Sequence, residues 1–173
     1  MNIITVINCS AFSGGVAAQL TDQYIKIINK TENVYSKVSL MDFVKRIDIN
    51  NIRNRTEEFQ TLFESEFKET NKIIFIVPEY NAGFPGILKL FLEVSDHTKW
   101  KGKKACIVGL SGGRGGNLRG MEHLASILNY LKINVHYNKL PLSNSKDLFD
   151  LGGNLYSGTL QIIEEQITEF LEF

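Results

Sequence analysis

Ile73-Ile74-Phe75-Ile76-Val77, running on into Pro78-Glu79-Tyr80-Asn81-Ala82-Gly83-Phe84-Pro85-Gly86, is the stretch from which the fold of this chain is read. Its first part is an unbroken run of β-branched and aromatic residues with no polar face. That is the pattern of a strand covered on both sides, and such strands belong to the interior of a parallel sheet. Pro85-Gly86 then opens a helix over 88–94, with Leu88, Leu90, Phe91, Leu92 and Val94 apolar on more than one face. Working outward, the same alternation repeats. Residues 3–7 (Ile-Ile-Thr-Val-Ile) read as a buried strand, 16–28 as a helix with Leu20, Tyr24, Ile27 and Ile28 in step, and 34–40 as a half-exposed strand. A polar, asparagine-rich loop over 48–55 precedes a helix over 57–67 with Phe59, Leu62, Phe63 and Phe67 on one stripe. Beyond the central unit come a strand at 105–108, a helix over 118–131, a last strand at 133–137 and a closing helix over 160–171. Five strand–helix units predict a five-stranded parallel sheet with helices on both faces.

Bulk properties narrow the function. At 173 residues, 43% of them hydrophobic, the chain reads as one domain over 1–173 with material for a sizeable core. Nineteen basic residues balance nineteen acidic ones, so the overall field favours neither nucleic acid nor a membrane surface. No apolar run approaches the ~18 residues of a membrane span, and the first residues lack a secretory leader. Cys9 and Cys106 fall in or at the end of expected strands and read as reduced core thiols, which points to the cytoplasm. His97, His123 and His136 are scattered, so neither a nucleophilic triad nor a metal site is expected.

Ligands of such sheets bind at the carboxyl ends of the strands, and three loops lie there. The first, Asn8 to Gly15, carries Ser10, Ser13, Gly14 and Gly15 at a helix start and suits an anion, or is an ordinary helix cap. It has neither the Gly-Lys-Ser/Thr ending of a P-loop nor the glycine spacing of a dinucleotide fold. The second, Pro78, Glu79, Tyr80, Asn81, Ala82 and Gly83, offers aromatic faces, an amide and free backbone for a planar ring. The third, Ser111-Gly112-Gly113-Arg114-Gly115-Gly116, has four glycines in six residues. Such a loop costs backbone entropy and makes sense where the chain approaches a ligand closely, or is simply flexible. Arg114 either meets a phosphate or faces water. Together the loops outline a flat ligand site.

These residues resemble the NADPH-dependent FMN reductase family over nearly the whole chain. Pro78-Glu79-Tyr80-Asn81-x-Gly83-x-Pro85-Gly86-x-Leu88-Lys89 is similar to the family's Pro-Glu-Tyr-Asn-x-Ser-x-Pro-Gly-x-Leu-Lys-Asn signature, with Gly83 for serine and Leu90 for the final asparagine. The glycine loop reached through Trp100-Lys101-Gly102-Lys103 resembles the second flavin loop, and Phe149-Asp150 with Gly153-Asn154-Leu155 the C-terminal segment. The resemblance implies a three-layer flavodoxin-like sandwich with strand order 2-1-3-4-5. It implies FMN as cofactor, NADPH or NADH as hydride donor, and a small-molecule electron acceptor such as a flavin, quinone or azo compound. It also implies a homodimer or homotetramer through the helix after the Pro-Glu-Tyr-Asn loop, although that helix also reads as simple core. The flavin ring would lie against Pro78 to Gly83 and Ser111 to Gly116, its chemistry needing no catalytic side chain. The phosphate would sit on the first loop.

There the chain departs from the pattern it resembles. The family pattern Gly-Ser-x-Arg-x-x-Ser-x-Asn aligns with Cys9-Ser10-Ala11-Phe12-Ser13-Gly14-Gly15-Val16-Ala17. Phe12 replaces arginine, Gly15 serine and Ala17 asparagine, leaving Ser10, with Ser13 as a substitute. Hydrogen bonds to a charged group contribute about 1.5–3 kcal/mol each. Losing two or three weakens binding by roughly two to five powers of ten. The competing expectation is therefore a flavodoxin-like binding module that has lost tight FMN binding and redox activity.

Overall fold

The computed structural model describes residues 2–12 and 14–173. The hydrophobic run at its centre becomes β3 (Lys72–Pro78), buried at every position. Around it the chain forms β1 (Ile3–Asn8), α1 (Val16–Ile28), β2 (Val34–Ser39), α2 (Leu40–Val44) and α3 (Glu57–Phe67) before it, then α4 (Gly86–Val94), β4 (Lys104–Leu110), α5 (Leu118–Tyr130), β5 (Asn134–Val135), β6 (Leu140–Leu142) and α6 (Ser157–Glu172). The strands pair in parallel in the order β2-β1-β3-β4-β5, with β6 also on β4. This is the flavodoxin-like order expected.

The sheet has six strands where five were expected, because the last track is made of two short pieces. β5 pairs with Lys104 and Ala105 only. The amide of His136 still donates to Ala105 O at 2.8 Å, but Tyr137 turns out to solvent and the chain leaves the sheet. Leu140 and Leu142, both buried, then return as β6 beside Val108–Leu110. Pro141 between them has no N–H to lose, which an edge strand tolerates. The sequence reading also missed α2, a short helix whose Leu40 and Phe43 bury their side chains immediately after β2.

Each face of the sheet has its own core. On one, α2 to α5 pack an aromatic cluster of Phe43, Phe59, Phe63, Phe67, Phe91 and Trp100, with neighbouring ring centroids 5.0–6.2 Å apart. The stripe read from the sequence of α3 supplies three of these rings, each contributing about 1.5–3 kcal/mol on burial. On the other face α1 and α6 cover Ile4, Val6, Ile74, Ile76, Cys106 and Val108. There the Tyr24 hydroxyl donates to Gln166 Oε1 at 2.7 Å, so its polar end is satisfied inside the core. Both cysteines are free and buried. Among the described residues, no helix is long and apolar enough to cross a membrane.

Candidate functional site

The first, second and third loops leave the carboxyl ends of β1, β3 and β4, three adjacent strands, and the structure ties them to one another. The second is shaped by a tight turn: Tyr80 N donates to Gly83 O at 2.9 Å, and Gly83 N to Tyr80 O at 3.1 Å. The two residues between, Asn81 and Ala82, have φ of 52° and 62°. A two-residue turn with both centres left-handed is the kind that favours Asn-Gly. Asn81 suits its place. Ala82 does not, and carries about 1 kcal/mol of strain. Strain at an exposed loop tip beside a candidate site is held only because the flanking backbone is fixed. Glu79 N donates to Leu110 O at 2.7 Å, which carries the β3–β4 ladder one step into the loops.

In the third loop, Ser111 is the internal clasp. Its hydroxyl donates to Gly113 O and accepts from Gly116 N, both at 2.9 Å. Ser145 N donates to Ser111 O and Asn144 N to Gly113 O, anchoring the loop from outside. The glycines then divide into two groups. Gly116 has a φ of 56°, and a Cβ there would sit 2.5 Å from Pro141 Cβ, so the fold itself demands glycine. At Gly112, Gly113 and Gly115 a Cβ would meet nothing within 4 Å, and none of the three has a left-handed φ. Neither packing nor backbone conformation explains those three glycines. An open ledge does, since it lets a flat ligand lie against bare backbone. Arg114 is exposed at the tip of this loop.

The first loop is different. Ser10 is buried, with its N–H on Asn8 Oδ1 at 3.0 Å. Its Oγ accepts from Phe12 N at 3.0 Å and shares a 3.1 Å hydrogen bond with the Tyr80 hydroxyl. Ala11 N also donates to that hydroxyl, at 3.2 Å. Tyr80 thus bridges from the second loop into the first, and Phe12, 69% exposed, packs edge-on against its ring with centroids 6.2 Å apart. Gly14 and Gly15 are exposed, Gly15 with a φ of 83°. Among the described residues, no side chain caps the start of α1. Ser13 lies outside the described residues. No Lys, Arg or His occurs before Lys26. The arrangement fits a flavin ring over the second and third loops, and fits a flavin phosphate at the first loop poorly.

One residue here was not singled out from the sequence. Asn117, just before α5, is 1% exposed and left-handed, with a φ of 63°. Its Nδ2 donates to Val77 O at 3.0 Å, while its Oδ1 is buried without a partner among the described residues. An asparagine at a helix start reads as a cap. This one instead reaches across to the end of β3 and holds the third loop against the second. A recess of about 940 Å³ lies between the later turns of α4 and α5, away from the three loops, lined in part by Leu92, His123, Ile127, Tyr130, Leu131 and Lys132.

Comparison with known proteins is consistent with this geometry. A model of the NADPH-dependent FMN reductase family matches residues 2–147. An NAD(P)H-dependent FMN reductase of Pseudomonas aeruginosa is 27% identical over 110 residues, 61% of this chain and 60% of that protein. A 2-hydroxy-1,4-benzoquinone reductase of a Burkholderia species is 27% identical over 105 residues, 58% of this chain and 57% of that protein. The matches thus span less than two thirds of the length of these relatives. Among solved structures, the FerB flavoenzyme, an NAD(P)H:(acceptor) oxidoreductase of Paracoccus denitrificans, superposes with a TM-score of 0.83 at 16% identity, over 99% of this chain and 96% of that one, which speaks to the fold alone. With a strand order, a Pro-Glu-Tyr-Asn turn, a glycine ledge and a family model that all agree, the chain belongs to the NADPH-dependent FMN reductase family.

Proposed function

We propose that this chain is an NAD(P)H-dependent oxidoreductase that holds a flavin across its second and third loops and serves a small-molecule electron acceptor. The observation that carries this is the set of glycines at 112, 113 and 115, which the fold does not need and a planar ligand does. A flavin held there would supply the redox chemistry that links NADPH or NADH to a flavin, quinone or azo acceptor. The residues supply binding and alignment. Ser111 holds the ledge flat, the Tyr80–Gly83 turn presents bare backbone to a ring edge, and Asn117 keeps the two loops at a fixed spacing. No titratable side chain is needed at the reacting atoms.

The recess between α4 and α5, with exposed Tyr130 at its edge, suits contact with a second copy, so the working form of the enzyme is a homodimer or a larger homo-oligomer. Two buried free thiols suit a reducing compartment, the cytoplasm. Titration of the protein into FMN, followed by quenching of flavin fluorescence, tests the proposal. Saturation in the micromolar range or tighter is expected. Absence of saturation at hundreds of micromolar overturns it in favour of a binding module without redox activity.

A further inference from the structure

The first loop contains an internal occupant. In a phosphate seat at a strand–helix junction, backbone amides and a serine hydroxyl converge on an anionic oxygen. Here the Ser10 hydroxyl and the Ala11 amide converge on an oxygen that the chain itself provides, the Tyr80 hydroxyl, at 3.1 and 3.2 Å. Ser10 is only 4% exposed, and its Oγ is engaged by both Phe12 N and the Tyr80 hydroxyl. Phe12 stands over the same tyrosine ring, and no cationic side chain precedes Lys26. We infer that the Tyr80 hydroxyl takes the place of a flavin phosphate, and that this chain recognises its flavin by the ring and not by the phosphate. Riboflavin and FMN then bind it about equally. The inference rests on the flavin reading above and names the ligand class within it.

The expected selectivity follows from exchange. To reach Ser10 and Ala11 a phosphate must displace Tyr80, breaking two hydrogen bonds for each two it makes. Among the described residues, what remains is the start of α1, whose dipole favours an anion by a factor of roughly two to five. A seat with free donors behaves otherwise, since each charge-assisted hydrogen bond is worth about tenfold to a hundredfold.

The test measures the dissociation constants of riboflavin and FMN by fluorescence quenching, for the native chain, Tyr80→Phe, and Tyr80→Phe combined with Ser10→Ala. The phenylalanine keeps the ring against Phe12 and frees both the Ser10 hydroxyl and the Ala11 amide. In the native chain FMN is expected to bind no more than about tenfold tighter than riboflavin. Tyr80→Phe is expected to raise the preference for FMN by a further tenfold or so, and the added Ser10→Ala to remove that gain. A native preference for FMN of a hundredfold overturns the inference while leaving the flavin reading intact, as does a Tyr80→Phe variant that shifts both flavins alike. If neither flavin binds, both the inference and the flavin reading fall.

Discussion

Gly120→Ala sets two effects of opposite sign against each other. Gly120 is in the first turn of α5, where alanine is ordinarily better than glycine by up to about 1 kcal/mol. A Cβ there, however, would lie 2.1 Å from Asn117 Oδ1 and 2.8 Å from both the Gly83 carbonyl carbon and the Phe84 nitrogen. Two of these three atoms are backbone of the second loop and cannot rotate away. The third belongs to a side chain that is 1% exposed and tied to Val77 O. Forcing atoms into such a contact costs about 1–3 kcal/mol, and loosening the Asn117 bond adds about 1 kcal/mol. The steric side wins by roughly 2 kcal/mol, a fall in Tm of about 4–8 °C for a chain of this size. Because the strain falls on Gly83 and Phe84, flavin affinity drops as well. Gly158→Ala is the control, since Gly158 is also helical, yet nothing lies within 4 Å of its notional Cβ. That variant is expected to be neutral or slightly more stable. Urea unfolding and thermal melts of both, with flavin titrations, decide the matter. A Gly120→Ala protein as stable as the native chain, with unchanged flavin affinity, refutes the claim that α5 fixes the second loop.

Other consequences are open to measurement. Ala82→Gly relieves the left-handed strain at the turn and, after the greater freedom glycine gives the unfolded chain, raises stability by at most about 0.5 kcal/mol in urea melts. His136 is fully buried with neither ring nitrogen hydrogen-bonded among the described residues, and burial lowers its pKa from the usual histidine range. The unfolded state therefore binds its proton first. The contribution of His136 to stability is complete above the unfolded pKa of about 6.5 and is lost as pH falls toward the lower folded value. His136→Phe should flatten the fall of the urea midpoint below pH 6.5, and an unaltered profile would contradict the assignment. Burial raises the pKa of Cys9 and Cys106 far above the ordinary thiol range. Neither is expected to react with an aromatic disulfide reagent at pH 8 until denaturant is added, and rapid native-state labelling would contradict their burial.

How much of this was legible in the sequence depends on how local each signal is. β3 announced itself because Ile73 to Val77 has no polar face, whereas the turn at Tyr80–Gly83, local as it is, went unread because Ala82 stands where a glycine would have marked it. The glycine loop was visible as composition, but only coordinates separate Gly116, which the fold requires, from Gly112, Gly113 and Gly115, which it does not. The last strand was misjudged because residues 133–137 look like one β-run. Its split depends on how Leu140 and Leu142 return beside β4, a long-range pairing with no local mark. Asn117 and the Tyr80–Ser10 contact were hidden for the same reason, since their partners lie 40 and 70 positions away. The changed first loop, by contrast, was readable as residues. What the structure adds is that a tyrosine hydroxyl stands where those changes removed donors.

The central claim is that the second and third loops hold a flavin in position to be reduced. The most direct measurement is anaerobic: protein and flavin are mixed, NADPH or NADH is added, and flavin absorbance near 450 nm is followed with and without protein. The account predicts rapid bleaching that scales with protein concentration and slows when Asn117→Ala loosens the ledge. Bleaching no faster than in the protein-free control, with flavin shown by titration to be bound, would contradict it.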